Sequence, residues 1–250
     1  MLKNEREREI INILKNEDSF ITVKELCKRL YASESSIRRD LTSLENRGLV
    51  KRTYGGAELI TKFSNVVSFN KRYHQNIEAK KEIAKKASKL IKDGSVIFLD
   101  QSSTTFYLAN EIINRSSLTV VTNNIEILSL LSNSGIKVIS SGGLLSPENR
   151  SCLIGDDAKG VFENIYADAL FFSAKSLSDE GVISDCTREE VVLRNSMFKN
   201  SAKKIFLCNS EKFGTQAAYK QCTLSDIDYL VCENEKGKKF TACSDTLRIL

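Results

Sequence analysis

A single histidine, His74, stands in a chain of 250 residues. That leaves little room for a Ser-His nucleophile pair or a histidine-held metal, and with them for most hydrolase mechanisms. The seven cysteines (27, 152, 186, 208, 222, 232 and 243) are scattered and form no C-x-x-C pair. Neither a thiolate zinc site nor a thioredoxin-like motif is therefore suggested. Reduced, mostly buried thiols are expected. Long apolar runs are missing too. The longest, "SVIFL" and "LTVV", fall far below the roughly 20 apolar residues of a membrane span. The first residues, "MLKNEREREI", are charged with no apolar run behind them. No signal peptide is expected, and a cytoplasmic location is. No internal repeat is visible.

What is present is ordinary for a globular protein: 41% hydrophobic and 28% charged residues. The length suits one large domain, or a small one joined to a medium one. Of the net charge of +5, +3 lies in residues 1–57. Such an excess permits a nucleic-acid partner without requiring one.

The N-terminal part reads as a series of short elements. Ile10, Ile11, Ile13 and Leu14 among charges predict an amphipathic helix over 4–16. Thr22 can cap a second helix reaching Leu30, with Glu25 at the capping-box position. After the turn "YASES", Ser33 can cap a third helix to about Arg47, with Gly48 as its C-terminal stop. Ile37, Leu41 and Leu44 give that helix one buried stripe. "LVKRTYGGAELI" then reads as strand, Gly-Gly turn, strand. Helix, helix, turn, helix, hairpin is the outline of a winged helix-turn-helix. It gives the donor-rich stretch "SESSIRRDL" a role, because such a helix can lie in a major groove. The candidate DNA-facing residues are Thr22, Ser33, Glu34, Ser35, Ser36, Arg38 and Arg39, with Lys51, Arg52 and Tyr54 on the hairpin. Asp40 is expected to orient a neighbouring arginine or helix, since it would repel phosphate.

From Lys80 onward, short apolar strands alternate with helices. "SVIFLD", "LTVVTNN", "KVISSGG", "DALFFSA", "KIFLC" and "DYLVC" read as strands, and 187–203 as a helix. Unbroken apolar strands in βα units predict a mainly parallel sheet covered on both faces. Ligands of such sheets bind at the carboxyl ends of the strands. Four polar loops fall there: "DQSSTT" (100–105), "TNN" (122–124), "SSGG" (140–143) and "NSEK" (209–212). Hydroxyls and backbone N–H groups opening a helix make a phosphate seat. Asp100, Ser102, Ser103, Thr104, Thr105, Thr122, Asn123, Asn124, Gly142, Gly143, Lys175 and Lys212 are the candidate ligand residues.

The stretch "TVKELCKRLYASESSIRRDLTSLENRGLVKRTYGGAEL" resembles the DNA-binding domain of DeoR-type bacterial transcription regulators. "LDQSSTTFYLA", "VVTNN", "SGG", "ADALFFSA" and "EKFG" extend the resemblance over nearly the whole chain. It implies an α/β protein: a winged helix-turn-helix over 1–58, a linker over 59–79, and a sensor and oligomerisation domain over 80–250 with a fold similar to ribose-5-phosphate isomerase. It further implies operator DNA and a phosphorylated sugar as partners, repression of sugar catabolism genes relieved by that sugar, a homo-oligomer, and no cofactor. The sequence departs from the family pattern at Ser102, Ser173 and Ser176, which stand where glycines are usual, and at Asn209, which replaces an aspartate. Lys175 appears beside them. These changes either re-tailor the pocket, with Lys175 as an added anion clamp, or mean that it has lost its ancestral ligand; a re-tailored pocket is the expectation favoured. An activator or an effector-independent regulator stays open as an alternative. So does an isomerase-like enzyme with an accessory DNA-binding domain, although the loop where such isomerases carry their carboxylates reads "ADALFFSAKSLSDEG" here, without the catalytic pattern.

Overall fold

The computed structural model describes residues 3–16, 20–47, 49–53, 55–59 and 67–250. The chain divides into two compact units, Met1–Ser64 and Asn65–Leu250.

The first unit runs α1 (Lys3–Asn16), β1 (Phe20–Thr22), α2 (Val23–Leu30), α3 (Glu34–Asn46), β2 (Val50–Thr53) and β3 (Gly56–Leu59). Both expected N-caps form. The Thr22 hydroxyl accepts from the Glu25 N–H at 3.1 Å, and the Ser33 hydroxyl from the Ser36 N–H at 3.3 Å. Glu25 makes no return bond to Thr22 in the described contacts; its carboxylate accepts from Arg29 Nε at 2.9 Å. Ile10, Leu14, Leu26, Ile37, Leu41 and Leu44 close one small core. Strand β1, unforeseen in the sequence, pairs antiparallel with β3, and β3 with β2. Gly48 and Tyr54, the helix stop and hairpin residue expected from sequence, lie outside the described residues.

The second unit opens with α4 (Phe69–His74) and α5 (Ile77–Ser88). It continues through β4 (Val96–Leu99), α6 (Ser103–Glu111), β5 (Thr119–Thr122), α7 (Ile125–Leu131) and β6 (Lys137–Ser140). A hairpin of β7 (Leu144–Leu145) and β8 (Leu153–Ile154) leads into α8 (Asp156–Glu163) and β9 (Ala167–Phe172). Then come β10 (Ser176–Leu177), β11 (Val182–Asp185), α9 (Arg188–Lys199), β12 (Ser201–Leu207), β13 (Tyr219–Thr223), β14 (Tyr229–Val231) and β15 (Arg248–Ile249).

Seven strands form one sheet in the order β15-β14-β12-β9-β4-β5-β6, with every pairing parallel. Side chains alternate across it. Ile97 and Leu99 of β4 enter the core beneath α5, α6 and α7, while Phe98 enters the opposite core with Phe162, Phe172 and Met197. Both faces are thus covered, which is why the strands read as continuous apolar runs. A smaller antiparallel sheet, β10-β11-β13, was not expected from sequence. The segment carrying α4, read as part of a connector, belongs to this unit. Phe69 meets Phe106 edge-on at 5.8 Å, and Tyr73 stacks on Tyr107 at 5.3 Å.

Candidate functional site

Helix α3 buries Ile37, Asp40, Leu41 and Leu44 and leaves Glu34, Ser35, Arg38 and Arg39 exposed. Arg38 bonds Glu34 one turn back at 2.6 Å. The hydroxyls of Ser35 and Ser36 lie 3.1 and 2.9 Å from that of Ser33. Asp40 is 1% exposed and holds Arg6 of α1 at 2.5 and 3.2 Å, so its role is to tie the first helix to the third. On β2, Lys51 and Arg52 are exposed. Arg52 is braced against α3: its side chain reaches the Thr42 hydroxyl at 2.8 Å, and its N–H reaches Glu45 at 2.9 Å. One face of this unit therefore carries a helix with two exposed arginines, flanked by a basic strand.

In the second unit a cleft of about 280 Å³ opens at the carboxyl ends of the parallel strands, where ligands of such sheets bind. Ser102, Ser103, Thr104, Lys175 and Lys212 line it, as do Ser173 and Asn209. Ser102 caps α6, accepting from the Thr105 N–H at 3.1 Å. Its φ of −78° is ordinary extended backbone, so no glycine is needed there. The first-turn N–H groups of α6 have no partner one turn back within the helix. Lys212 donates to the Ser173 hydroxyl at 2.8 Å and to the Ala174 carbonyl at 2.7 Å. Burial pushes the Lys212 ammonium below its usual range. Asn209 Oδ1 is buried without a hydrogen-bond partner.

Other candidate residues support the cleft from behind or lie elsewhere. Asp100 is fully buried and does not line it. Its carboxylate accepts from the Ser102 and Ser173 N–H groups and from Arg194. Thr105 bonds back to Asp100. Thr122 accepts from the Asn124 N–H, Asn124 caps α7, and Asn123 donates to the Leu153 carbonyl and Cys152 Sγ. All three are buried and outside the cleft lining. Gly142 and Gly143 shape the turn after β6 and do not line it either. Gly143 has φ +97°, and a Cβ there would meet the Ile154 carbonyl at 2.5 Å.

Sequence reasoning missed the charged half of the cleft. Arg194 of α9, about 1% exposed, bridges Asp100 Oδ2 at 3.2 Å and Asp185 Oδ2 at 3.0 Å. Burial opposes its charge, but Asp185, Asp100 and Glu190 outweigh that and hold it firmly protonated. Burial, reinforced by Asp185, raises the Glu190 carboxyl. Arg72 of α4 and Lys80 of α5 form the opposite wall. Burial, then the nearby Lys212 and Arg72, push the Lys80 ammonium down to about 7. One signal was available. Lys80 falls on the inward stripe of α5 with Ile83, Ala84 and Ala87, where a solvated lysine has no place.

Two acids of the loop "ADALFFSAKSLSDEG" are engaged elsewhere, although Asp185, Glu190 and Glu211 line the cleft. Asp168 accepts from the Val96 N–H at 2.9 Å and Asp179 pairs with Lys239 at 2.7 Å; neither lines the cleft. Among the described residues no group of three or more His, Cys, Asp or Glu could hold a metal, and no helix is long and apolar enough to cross a membrane.

The chain was compared with known proteins. A family model described as the DeoR C terminal sensor domain matches residues 75–234, and one described as the DeoR-like helix-turn-helix domain matches 6–63. The HTH-type transcriptional regulator GolR of Listeria innocua is 36% identical over 95% of this chain and 93% of its own length. The lactose phosphotransferase system repressor of Staphylococcus aureus is 28% identical over 96% and 95%. Among solved structures, ribose 5-phosphate isomerase A of Methanocaldococcus jannaschii aligns at 19% identity and TM-score 0.43, covering 56% of this chain and 55% of that one. The chain belongs to the DeoR-type family of helix-turn-helix transcriptional regulators.

Proposed function

We propose that this regulator represses sugar catabolism genes and that a phosphorylated sugar, bound in the cleft of the second unit, weakens its hold on operator DNA. The observation that carries the reading is the charge in that cleft. Lys212, Lys80, Arg72 and Lys175 line it, and none makes an ion pair among the described residues. Beside them α6 presents the N–H groups of its first turn, a natural phosphate seat. The cleft volume lies near the lower end of the roughly 300–1,000 Å³ of small-molecule sites, as suits a small sugar phosphate. Asn209 Oδ1 is an unfilled acceptor for a sugar hydroxyl. The name of the Staphylococcus relative, a lactose phosphotransferase system repressor, points the same way.

On the DNA side, Ser35, Arg38 and Arg39 face the bases or phosphates from α3, with Glu34 orienting Arg38. Thr22, Ser33 and Ser36 hold the helix start beside the backbone. Lys51 and Arg52, with Tyr54 as a further candidate, place the wing on phosphates. One such module buries too little surface for operator affinity, so a homo-oligomer reading paired half-sites is part of the proposal.

Thermal unfolding against phosphorylated sugars and their unphosphorylated parents tests the reading. At about 100 times Kd a true effector adds roughly 2.7 kcal/mol and raises the midpoint of the second unit. The rise is expected for a phosphorylated compound alone and is expected to vanish in Lys212→Met. No rise with any of them contradicts the proposal.

Effector binding also carries a pH signature. An anion near Lys80 raises its proton affinity, so binding takes up protons where Lys80 is otherwise neutral, above pH about 7. Lys212, also lowered, adds in the same direction. Affinity is expected to fall as pH rises from 7 to 9, and the fall to be smaller in Lys80→Met. Calorimetric titration in buffers of different ionisation enthalpy measures the proton count.

A further inference from the structure

Five basic side chains line the cleft against three acidic ones, Asp185, Glu190 and Glu211, and Arg194 answers Asp185; the remaining bases exceed what one phosphate seat uses. Lys212 and the first turn of α6 lie at the carboxyl edge of the sheet. Arg72 and Lys80 come from the wall built by α4 and α5.

Arg72 is held in place with part of its fork uncommitted. Nε donates to the Val67 carbonyl at 3.0 Å, and the guanidinium carbon lies 5.7 Å from the centre of the Phe69 ring. Nη2 is enclosed and meets no acceptor. An enclosed guanidinium donor without an acceptor is costly to keep and calls for an explanation. Glu190 feels Arg72 through space as the strongest of the influences that favour its charge, but its carboxylate accepts from Asn149 Nδ2 at 2.9 Å, and no carboxylate lies within ion-pair distance of Arg72 among the described residues. Lys80 sits behind, 5% exposed, and donates to the Gln75 carbonyl at 2.7 Å and to the Arg72 carbonyl. Those bonds tie the end of α4 to α5 and leave one ammonium proton over. Arg72 is therefore positioned before any ligand arrives, with donors left for a planar or tetrahedral anion.

We propose that Arg72, backed by Lys80, forms a second anion subsite in the cleft, so that the ligand carries two anionic groups, as a sugar bisphosphate or a phosphorylated sugar acid does. This rests on the reading of the cleft as a phosphate-binding sensor site. The first group sits on α6 and Lys212, the second on Arg72, and the polyol between them meets Asn209. A sugar with a single phosphate leaves the Arg72 donor unmatched and binds more weakly. Because α4 supplies Arg72, a ligand bound at both subsites also fixes α4 against the sheet edge.

Soaking crystals of the full chain in tungstate tests this without knowing the sugar, because anomalous scattering marks each bound anion. Two peaks per cleft are expected, one beside Lys212 and the α6 N-terminus, one beside the Arg72 guanidinium. In Arg72→Gln only the second is expected to disappear. One peak at Lys212 alone overturns the second subsite and leaves the phosphate seat standing. One peak at Arg72 alone overturns the two-anion ligand. No peak in the cleft overturns the subsite and the sensor reading together.

Discussion

Arg194→Ala lowers the thermal midpoint of the second unit by about 6–20 °C. The change leaves the carboxylates of Asp100 and Asp185 buried without their shared cation, since Arg194 reaches both at 3.2 and 3.0 Å and is itself about 1% exposed. Breaking a buried pair from one side costs about 3–5 kcal/mol, and each kcal/mol moves the midpoint of a unit this size by roughly 2–4 °C. Asp100 also accepts from the Ser102 and Ser173 N–H groups, so the loss spreads to the loops that shape the cleft. The double variant Arg194→Ala/Asp100→Ala is expected to recover part of the loss, because it removes one stranded charge with its partner. Arg194→Lys recovers less, having no fork to reach both acids. A midpoint within about 2 °C of wild type for Arg194→Ala, well under the smallest cost of a broken buried pair, would show that the network bears little of the fold.

Arg38→Ala is expected to remove sequence-specific DNA binding while leaving ligand binding in the cleft unchanged. Its side chain is exposed and, among the described residues, bonded only to Glu34, so the substitution leaves the buried stripe of α3 intact. A good base contact is worth about 1–3 kcal/mol. Two half-sites double that, giving a loss of roughly 30- to 20,000-fold. Fluorescence anisotropy on a duplex selected by the protein from a random pool measures the first effect, and thermal shift with the effector the second. If both activities fell together, the division of labour between the units would be wrong.

The first unit was largely legible in the sequence because its determinants are local. The Ile37, Leu41, Leu44 stripe lies at helical spacing, and Thr22 and Ser33 are caps that need only their own helix. Strand β1 escaped notice because its three residues gain their meaning from β3, far along the chain. The parallel sheet announced itself through apolar runs, whereas β13, "YKQCT", has no such pattern and is a strand only through its pairing with β11.

The cleft was half legible. The loop at 100–105 was found, but polar residues in loops look alike whether they face a ligand or hold the fold. Thr122, Asn123 and Asn124 use their bonds on α7 and the strand beyond. Asp100 serves Arg194, a partner 94 residues away that no local pattern reveals. Arg72 fell in a stretch read as a connector, although Phe69 and Tyr73 beside it already signalled packing.

The central claim is that a phosphorylated ligand in the cleft controls DNA binding. Titrating the protein–DNA complex with phosphorylated sugars and their unphosphorylated parents tests it most directly. The account predicts that a phosphorylated compound releases the DNA, that its parent does not, and that Lys212→Met binds the same DNA without being released. Release by an unphosphorylated parent, or unchanged release in Lys212→Met, would contradict it.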